Sequence, residues 1–148
     1  MKTSTKQSDN KKADFSLAIE SIRLFKSNFM VNPEFKFPEN GSIPLDPKIN
    51  VISEIRKRVL FVELNVIIAE KEKPFKFDIS YIGLFKLQKD ISQEETNKII
   101  CLNCAPIMFP YIREHVADIT MKAGYPPYHM QPVNFVKIYE DSKAKADN

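Results

Sequence analysis

Every second residue from Leu60 to Ile68 is a large aliphatic, Leu60, Val62, Leu64, Val66 and Ile68, and this constrains the fold more tightly than anything else in the chain. A period of two places all five side chains on one face of an extended strand, and that face has to be covered. The intervening residues Val59, Phe61, Glu63, Asn65 and Ile67 are mixed in character, so the second face carries no such demand. After the polar run Glu70-Lys71-Glu72-Lys73 and Pro74, alternation resumes at Phe75, Phe77, Ile79 and Tyr81 and passes Gly83 into Leu84-Phe85-Lys86-Leu87. Two long strands joined by a short charged turn predict an antiparallel hairpin.

Upstream, Phe15, Leu17 and Ile19 alternate with Ser16, Ala18 and Glu20, and Ile22 and Leu24 resume one residue out of step. That shift predicts a β-bulge near Ser21 in a long strand. Residues 49–56 read as the start of a further strand. Between Pro33 and Pro47 stand four of the ten prolines and Gly41, and proline lacks the amide hydrogen that a central ladder needs, so a loop or irregular edge is expected there. Phe35, Phe37, Ile43 and Leu45 lie on this crossover, and two placements fit them equally: the margin of a hydrophobic groove, or core packing beneath a loop.

The pattern then becomes helical. Ser92 and Glu95 form a capping-box pair at the start of a helix expected over residues 93–104. Pro106 and Pro110 are expected to interrupt the helical pattern beyond it. Phe109, Ile112, Val116, Ile119 and Ala123 keep helical spacing as far as Gly124, and Pro126 and Pro127 exclude continuation. A last short helix is expected over residues 134–140, with Phe135, Ile138 and Tyr139 on one side. Residues 1–13 contain four lysines and no large apolar side chain after Met1. They and the polar residues 141–148 are expected to be disordered tails flanking one α+β domain over residues 14–140.

Little in the chain points to catalysis. Cys101 and Cys104 have the spacing of a redox or zinc half-site, but His115 and His129 stand at distances that match no common zinc module, and the pair lies in a helical stretch. They read as buried, unreactive thiols, with no metal and no cofactor. His115 comes directly after Glu114, and adjacent helical positions point in different directions, so no acid and base pair is implied. The three glycines are too far apart for a phosphate cradle. An enzyme is not expected. A net charge of +3 spread over 22 basic and 19 acidic residues argues against nucleic acid. No run approaches the roughly 18 to 20 apolar residues of a membrane span, and the amino terminus lacks the apolar middle of a signal peptide, so a cytoplasmic protein is expected. Eleven Phe and five Tyr remain, to be explained by a core and oligomer interface or by a surface that binds extended polypeptide.

Three segments occur in order: Gly83-Leu84-Phe85, then Met108-Phe109-Pro110-Tyr111-Ile112-Arg113-Glu114, then Gln131-Pro132-Val133-Asn134-Phe135. Their order and spacing resemble those of the SecB family, which carries a Gly-Ile-Phe-type strand end, a Leu-Phe-Pro-Tyr-Ala-Arg-Glu segment and an Ala-Pro-Val-Asn-Phe segment. The resemblance runs from about residue 81 to residue 135. It implies a four-stranded antiparallel sheet with helices packed on one face, and a homotetramer built as a dimer of dimers with the long helix (Ile112, His115, Val116, Ile119) at an interface. The implied activity is ATP-independent holding of unfolded polypeptides, keeping preproteins export-competent in a hydrophobic groove. Candidate groove residues are Phe35, Phe37, Ile43, Leu45, Phe109, Tyr111, Phe135 and Tyr139, although Phe109 and Phe135 would equally serve to anchor helices to the sheet.

The resemblance also implies contact with the export motor SecA through acidic residues on the exposed sheet face. Here Lys26 and Met30 stand at two of those positions, and Asp78 keeps a third beside Lys76. The family's tryptophan before the second strand is absent. Those departures leave three readings open: an export chaperone, a SecB-like chaperone dedicated to another client such as an antitoxin, and a non-chaperone oligomeric scaffold.

Overall fold

The computed structural model describes residues 17–146, so the expected tail over residues 1–13 lies outside the described residues. Four strands, β1 (Leu17–Val31), β2 (Lys48–Arg56), β3 (Val59–Ile68) and β4 (Phe75–Leu87), form one antiparallel sheet in the order β1-β4-β3-β2. β3 and β4 are central and carry fully buried rows, whereas β1 and β2 are edges with no buried residue. The five aliphatics of β3 are at most 2% exposed and meet Phe77, Ile79 and Phe85 of β4 in the core. At about 1.5 to 3 kcal/mol per buried side chain, that row alone contributes on the order of 10 kcal/mol.

β1 carries the expected bulge, a register shift between Ile19 and Ser21, and a second between Leu24 and Lys26 that the alternation did not reveal. The second shift releases Phe25 from the pairing. β2 and β3 are joined by the tight turn Lys57-Arg58, with Lys57 at φ 57° in the left-handed region.

The helices lie against one face. α1 (Gln93–Ile99) starts at Ser92, whose hydroxyl accepts the Glu95 amide as the capping box requires. The expected break at Pro106 does not occur. A π-helical segment, Ile100–Cys104, joins α1 directly to α2 (Ala105–Lys122), and the Ala105 amide reaches back to the Ile100 carbonyl. Pro106 then falls in the first turn of α2, where a missing amide hydrogen is tolerated. Pro110 lies inside α2 and removes one hydrogen bond; the helix survives because Met108, Phe109, Ile112 and Val116 are buried.

α3 (Phe135–Ala146) runs six residues beyond the expected end at Glu140. Residues 141–146 belong to the segment expected to be a disordered polar tail, but their Lys and Ala are good helix formers; residues 147–148 lie outside the described residues. Lys143 Nζ lies 3.3 Å from Glu94 Oε1 on α1. Among the described residues no helix is long and apolar enough to cross a membrane.

Candidate functional site

The crossover from β1 to β2, residues 32–47, is tied to the β3–β4 turn by hydrogen bonds in both directions. Asn32 Nδ2 donates to the carbonyls of Lys71 and Lys73, each at 3.1 Å, and Lys73 Nζ donates to the Pro44 carbonyl at 2.7 Å. The connection from α2 to α3 is fixed in turn, since the Tyr128 amide donates to Thr120 Oγ1 at 2.9 Å and Tyr125 Oη to the Pro74 carbonyl at 3.2 Å. Two otherwise irregular segments are thereby set on either side of the sheet margin.

Two hollows open beside β2, the smaller between these two segments and the larger between β2, the stretch from α1 to the π-helical segment, and α3. The smaller, about 220 Å³, lies among Leu45, Ile49, Phe109, Tyr128, Met130 and Val133. The larger, about 670 Å³, is bounded by Val51, Ile100, Cys101, Ile138, Tyr139 and Lys143. Ile49 and Val51 are alternate residues on the helix-facing side of β2, so the two hollows succeed one another along that strand. Among the described residues the outer backbone edge of β2 pairs with no other strand.

The structure separates the expected groove residues. Leu45 and Phe109 line the smaller hollow and Tyr139 the larger. Phe135 is 6% exposed and packs edge to face against Phe109, behind the hollows. Phe35 and Phe37 pair with each other 5.2 Å apart, and Phe37 leans on Tyr125 at the end of α2. They lie at the loop's other end. Ile43 is half-buried two residues before Leu45 and lines neither hollow. Tyr111 points away altogether, toward Tyr81 on β4, because two helical positions turn it about 200° from Phe109. Sequence reasoning missed Val51, Cys101, Tyr128, Met130 and Ile138. The aliphatic spacing of β2 was the only signal that could have found Val51.

Ile112 and Val116 are 0% exposed within the single chain, packed beneath the sheet, so they cannot meet another copy. His115 and Ile119 remain half-buried. His115 Nε2 shares a 2.8 Å hydrogen bond with Ser27 Oγ on β1, beside the ring of Tyr81. Burial pushes the Cys104 thiol up to about 12, with Cys101 adding to it, and burial raises Cys101 too. Both are therefore protonated at neutral pH and poor nucleophiles.

Among the described residues the second sheet face carries no helix. Lys26, Met30, Lys76 and Asp78 all fall on it. Lys26 Nζ sits 3.0 Å from Asp78 Oδ1, and Asp78 also accepts from Asn65 Nδ2 at 2.7 Å. Asn65, itself 5% exposed, donates to Ser80 Oγ and accepts from Asn50 Nδ2, making a polar ladder across all four strands. Partial burial alone would raise the Asp78 carboxyl, but the bonds from Asn65 and Lys26 outweigh it and hold the group below its ordinary 3.8.

Residues 40–146 match the family model of SecB, described as preprotein translocase subunit SecB. A protein-export protein SecB of Anaplasma phagocytophilum is 28% identical over 119 residues, spanning 76% of this chain and 75% of that one. The protein-export protein SecB of Acidithiobacillus ferrooxidans is likewise 28% identical, over 79% of this chain and 82% of the relative. Among solved structures, a SecB-like chaperone of Mycobacterium tuberculosis in complex with a peptide from the HigA1 antitoxin shares the fold. Its TM-score is 0.69 at 18% identity, covering 80% of this chain and 91% of the other.

Proposed function

The chain belongs to the SecB family of preprotein translocase subunits, and on that premise we propose that it is an ATP-independent chaperone holding unfolded polypeptides along the two hollows beside β2. The observation that carries the reading is their alignment. Hollows in line along a strand, each mixing apolar residues with polar ones such as Asp46 and Gln131 in the smaller and Gln93, Glu94 and Asn97 in the larger, suit an extended chain whose side chains enter one after another, while the open edge of β2 supplies main-chain partners that ignore sequence. Phe109 and Tyr139 form part of the walls, Leu45 the loop-side margin, and Phe135 the support behind Phe109. Nothing in this activity calls for a cofactor or a catalytic group, and we place the protein in the cytoplasm.

The assembly we propose is a homotetramer, a dimer of dimers. Ile19, Leu24 and Val31 on edge strand β1 and Met121 on α2 are exposed large apolar residues, which supports association through these elements. His115 and Ile119 are the members of the expected helix set that stay within reach of a partner.

Contact with the motor SecA is the weak part of the export reading. Lys26, Met30 and Lys76 place one apolar and two basic side chains around Asp78, and Asp78 is already paired with Lys26. Reversed charge at a rim slows encounter with a partner suited to acidic groups. That observation favours a second reading, a SecB-like chaperone whose client is not exported, such as an antitoxin.

Light scattering coupled to size exclusion tests the proposal, first on the protein alone and then mixed with a chemically unfolded, slow-folding client. The expected result is a mass of four protomers that co-elutes with the unfolded client and leaves its native form free. A tetramer indifferent to the client would replace the chaperone reading with a scaffold.

A further inference from the structure

The helix-free sheet face is apolar at one end and basic around it. Strand register puts Leu84 beside Phe61 and Ile82 beside Glu63, with Ile52 of β2 next in that row. Phe25, freed by the second bulge of β1, joins Phe61, Ile82 and Leu84 around a shallow hollow of about 340 Å³. Phe25 is 62% and Ile52 58% exposed. Such rings and aliphatics, contiguous and uncovered on one face, are the usual mark of an interaction surface.

Across this face as a whole the charges are unequal. The strand register places the cations Arg23, Lys26, Lys48, Arg56, Lys76 and Lys86 on it against the anions Glu54, Glu63 and Asp78, and with exposed Glu20 of the first bulge added the ratio is six to four. Two of these anions are already answered, Asp78 by Lys26 and Glu54 by Arg56. Arg56 also lies over the Phe61 ring at 5.5 Å. Arg23 and Lys86 flank the hollow and form no ion pair among the described residues. A face of this polarity attracts negative charge and repels a basic tail.

We propose that the helix-free sheet face docks an acidic, apolar-studded segment of a partner protein, with apolar side chains in the Phe25 and Phe61 hollow and carboxylates on Arg23 and Lys86. The segment is polypeptide, not nucleic acid, because aliphatic Leu24, Ile82 and Leu84 form half of the hollow's lining and suit apolar side chains, offering neither a stacking platform for bases nor a phosphate contact. β4 spans about 33 Å from Lys76 to Lys86 at the usual strand rise, so about ten extended residues cross the face. This surface is separate from the hollows beside β2, and the proposal does not depend on client holding.

The test uses the whole protein and a fluorescein-labelled twelve-residue peptide alternating Leu and Phe with Asp and Glu, compared with a counterpart carrying Lys at the acidic positions. The acidic peptide is expected to bind, to weaken as salt rises, and to lose roughly tenfold in affinity in the Arg23→Glu/Lys86→Glu variant, whose exposed substitutions leave the circular dichroism unchanged. An excess of unfolded client is expected not to displace it, and client holding by the variant is expected to match the parent. Equal binding of the two peptides would overturn the proposal. So would displacement by client with indifference to charge reversal, which would assign the peptide to the hollows beside β2. Tighter binding of an oligouridylate that displaces the peptide would give the face to RNA instead. Self-association abolished by Phe25→Glu would give it to a second copy of this chain. Client holding measured on the same samples separates failure of this proposal from failure of the chaperone reading.

Discussion

The rings of Phe109 and Phe135 meet edge to face, centroids 5.9 Å apart and planes at 74°. One belongs to the Phe-Pro-Tyr segment of α2 and the other opens α3, so this contact fixes the last helix to the rest of the domain. Both are nearly buried, at 7% and 6% exposure. Phe135→Ala should therefore cost about 3 kcal/mol, read from the urea midpoint, and should loosen α3 first, seen as faster amide exchange over residues 135–146. An unchanged midpoint would remove Phe135 from the core.

Gly83 faces the core of β4, where a Cβ would stand 2.5 Å from the Phe85 ring and 2.9 Å from Met108 Sδ. Neither neighbour has free space, both being 0% exposed. Gly83→Ala is expected to cost roughly 1 to 3 kcal/mol. In a double-mutant cycle with Met108→Ala, the paired variant should be more stable than the sum of the single losses, because the shorter side chain removes the Met108 contact and opens space into which the Phe85 ring can shift. Simple additivity would show that Met108 does not set the limit.

Acid should weaken the fold through Asp78. Its folded carboxyl ionises below its ordinary 3.8, so the unfolded chain binds the proton more readily, and stability is present above that value and lost as pH falls through the folded one. Asp78→Asn should flatten the pH dependence of the urea midpoint below about pH 4 relative to the parent. A parallel pair of curves would contradict the ladder's role.

Cys104 should resist iodoacetamide at neutral pH until the protein unfolds, since its thiol is pushed up to about 12 and is fully buried. Cys101 is partly accessible, and burial keeps it protonated, so it should react more slowly than a free thiol. Because Cys101 borders the larger hollow, bound client should slow it further; acceleration by client would count against that location.

Charge placed in the hollows should abolish holding without loss of assembly. Val51→Asp and Ile138→Asp each set a carboxylate where an apolar side chain of the client would lie, and a loss of affinity of roughly tenfold or more is expected at unchanged mass by light scattering. Retained affinity would move the client elsewhere.

Much of the fold was legible in the sequence because period-two and helical repeats report burial directly. Leu60 to Ile68, the Ser92 cap and the bulge before Ser21 all come from local rules. The second bulge was hidden because Phe25 breaks no pattern by itself, and only the pairing of Leu24 with Tyr81 and Lys26 with Ser80 exposes it. The joined helices escaped notice because Pro106 signals a break in isolation, whereas the π-helical turn at Ile100–Cys104 brings it into a position that needs no amide hydrogen.

By itself the sequence determined which strand and helix faces had to be covered and, through three short segments, the family. Tertiary structure alone decided that Phe109 and Tyr111, two residues apart, serve opposite sides of α2, and that Leu45 reaches a hollow while Phe35 and Phe37 do not. It also decided that Arg23, Phe25, Phe61 and Lys86 share one uncovered face. The reason is physical: burial along a strand or helix is a one-dimensional pattern fixed by neighbours in the chain, whereas a hollow or a charged face is made by segments whose meeting depends on register, crossover and helix rotation.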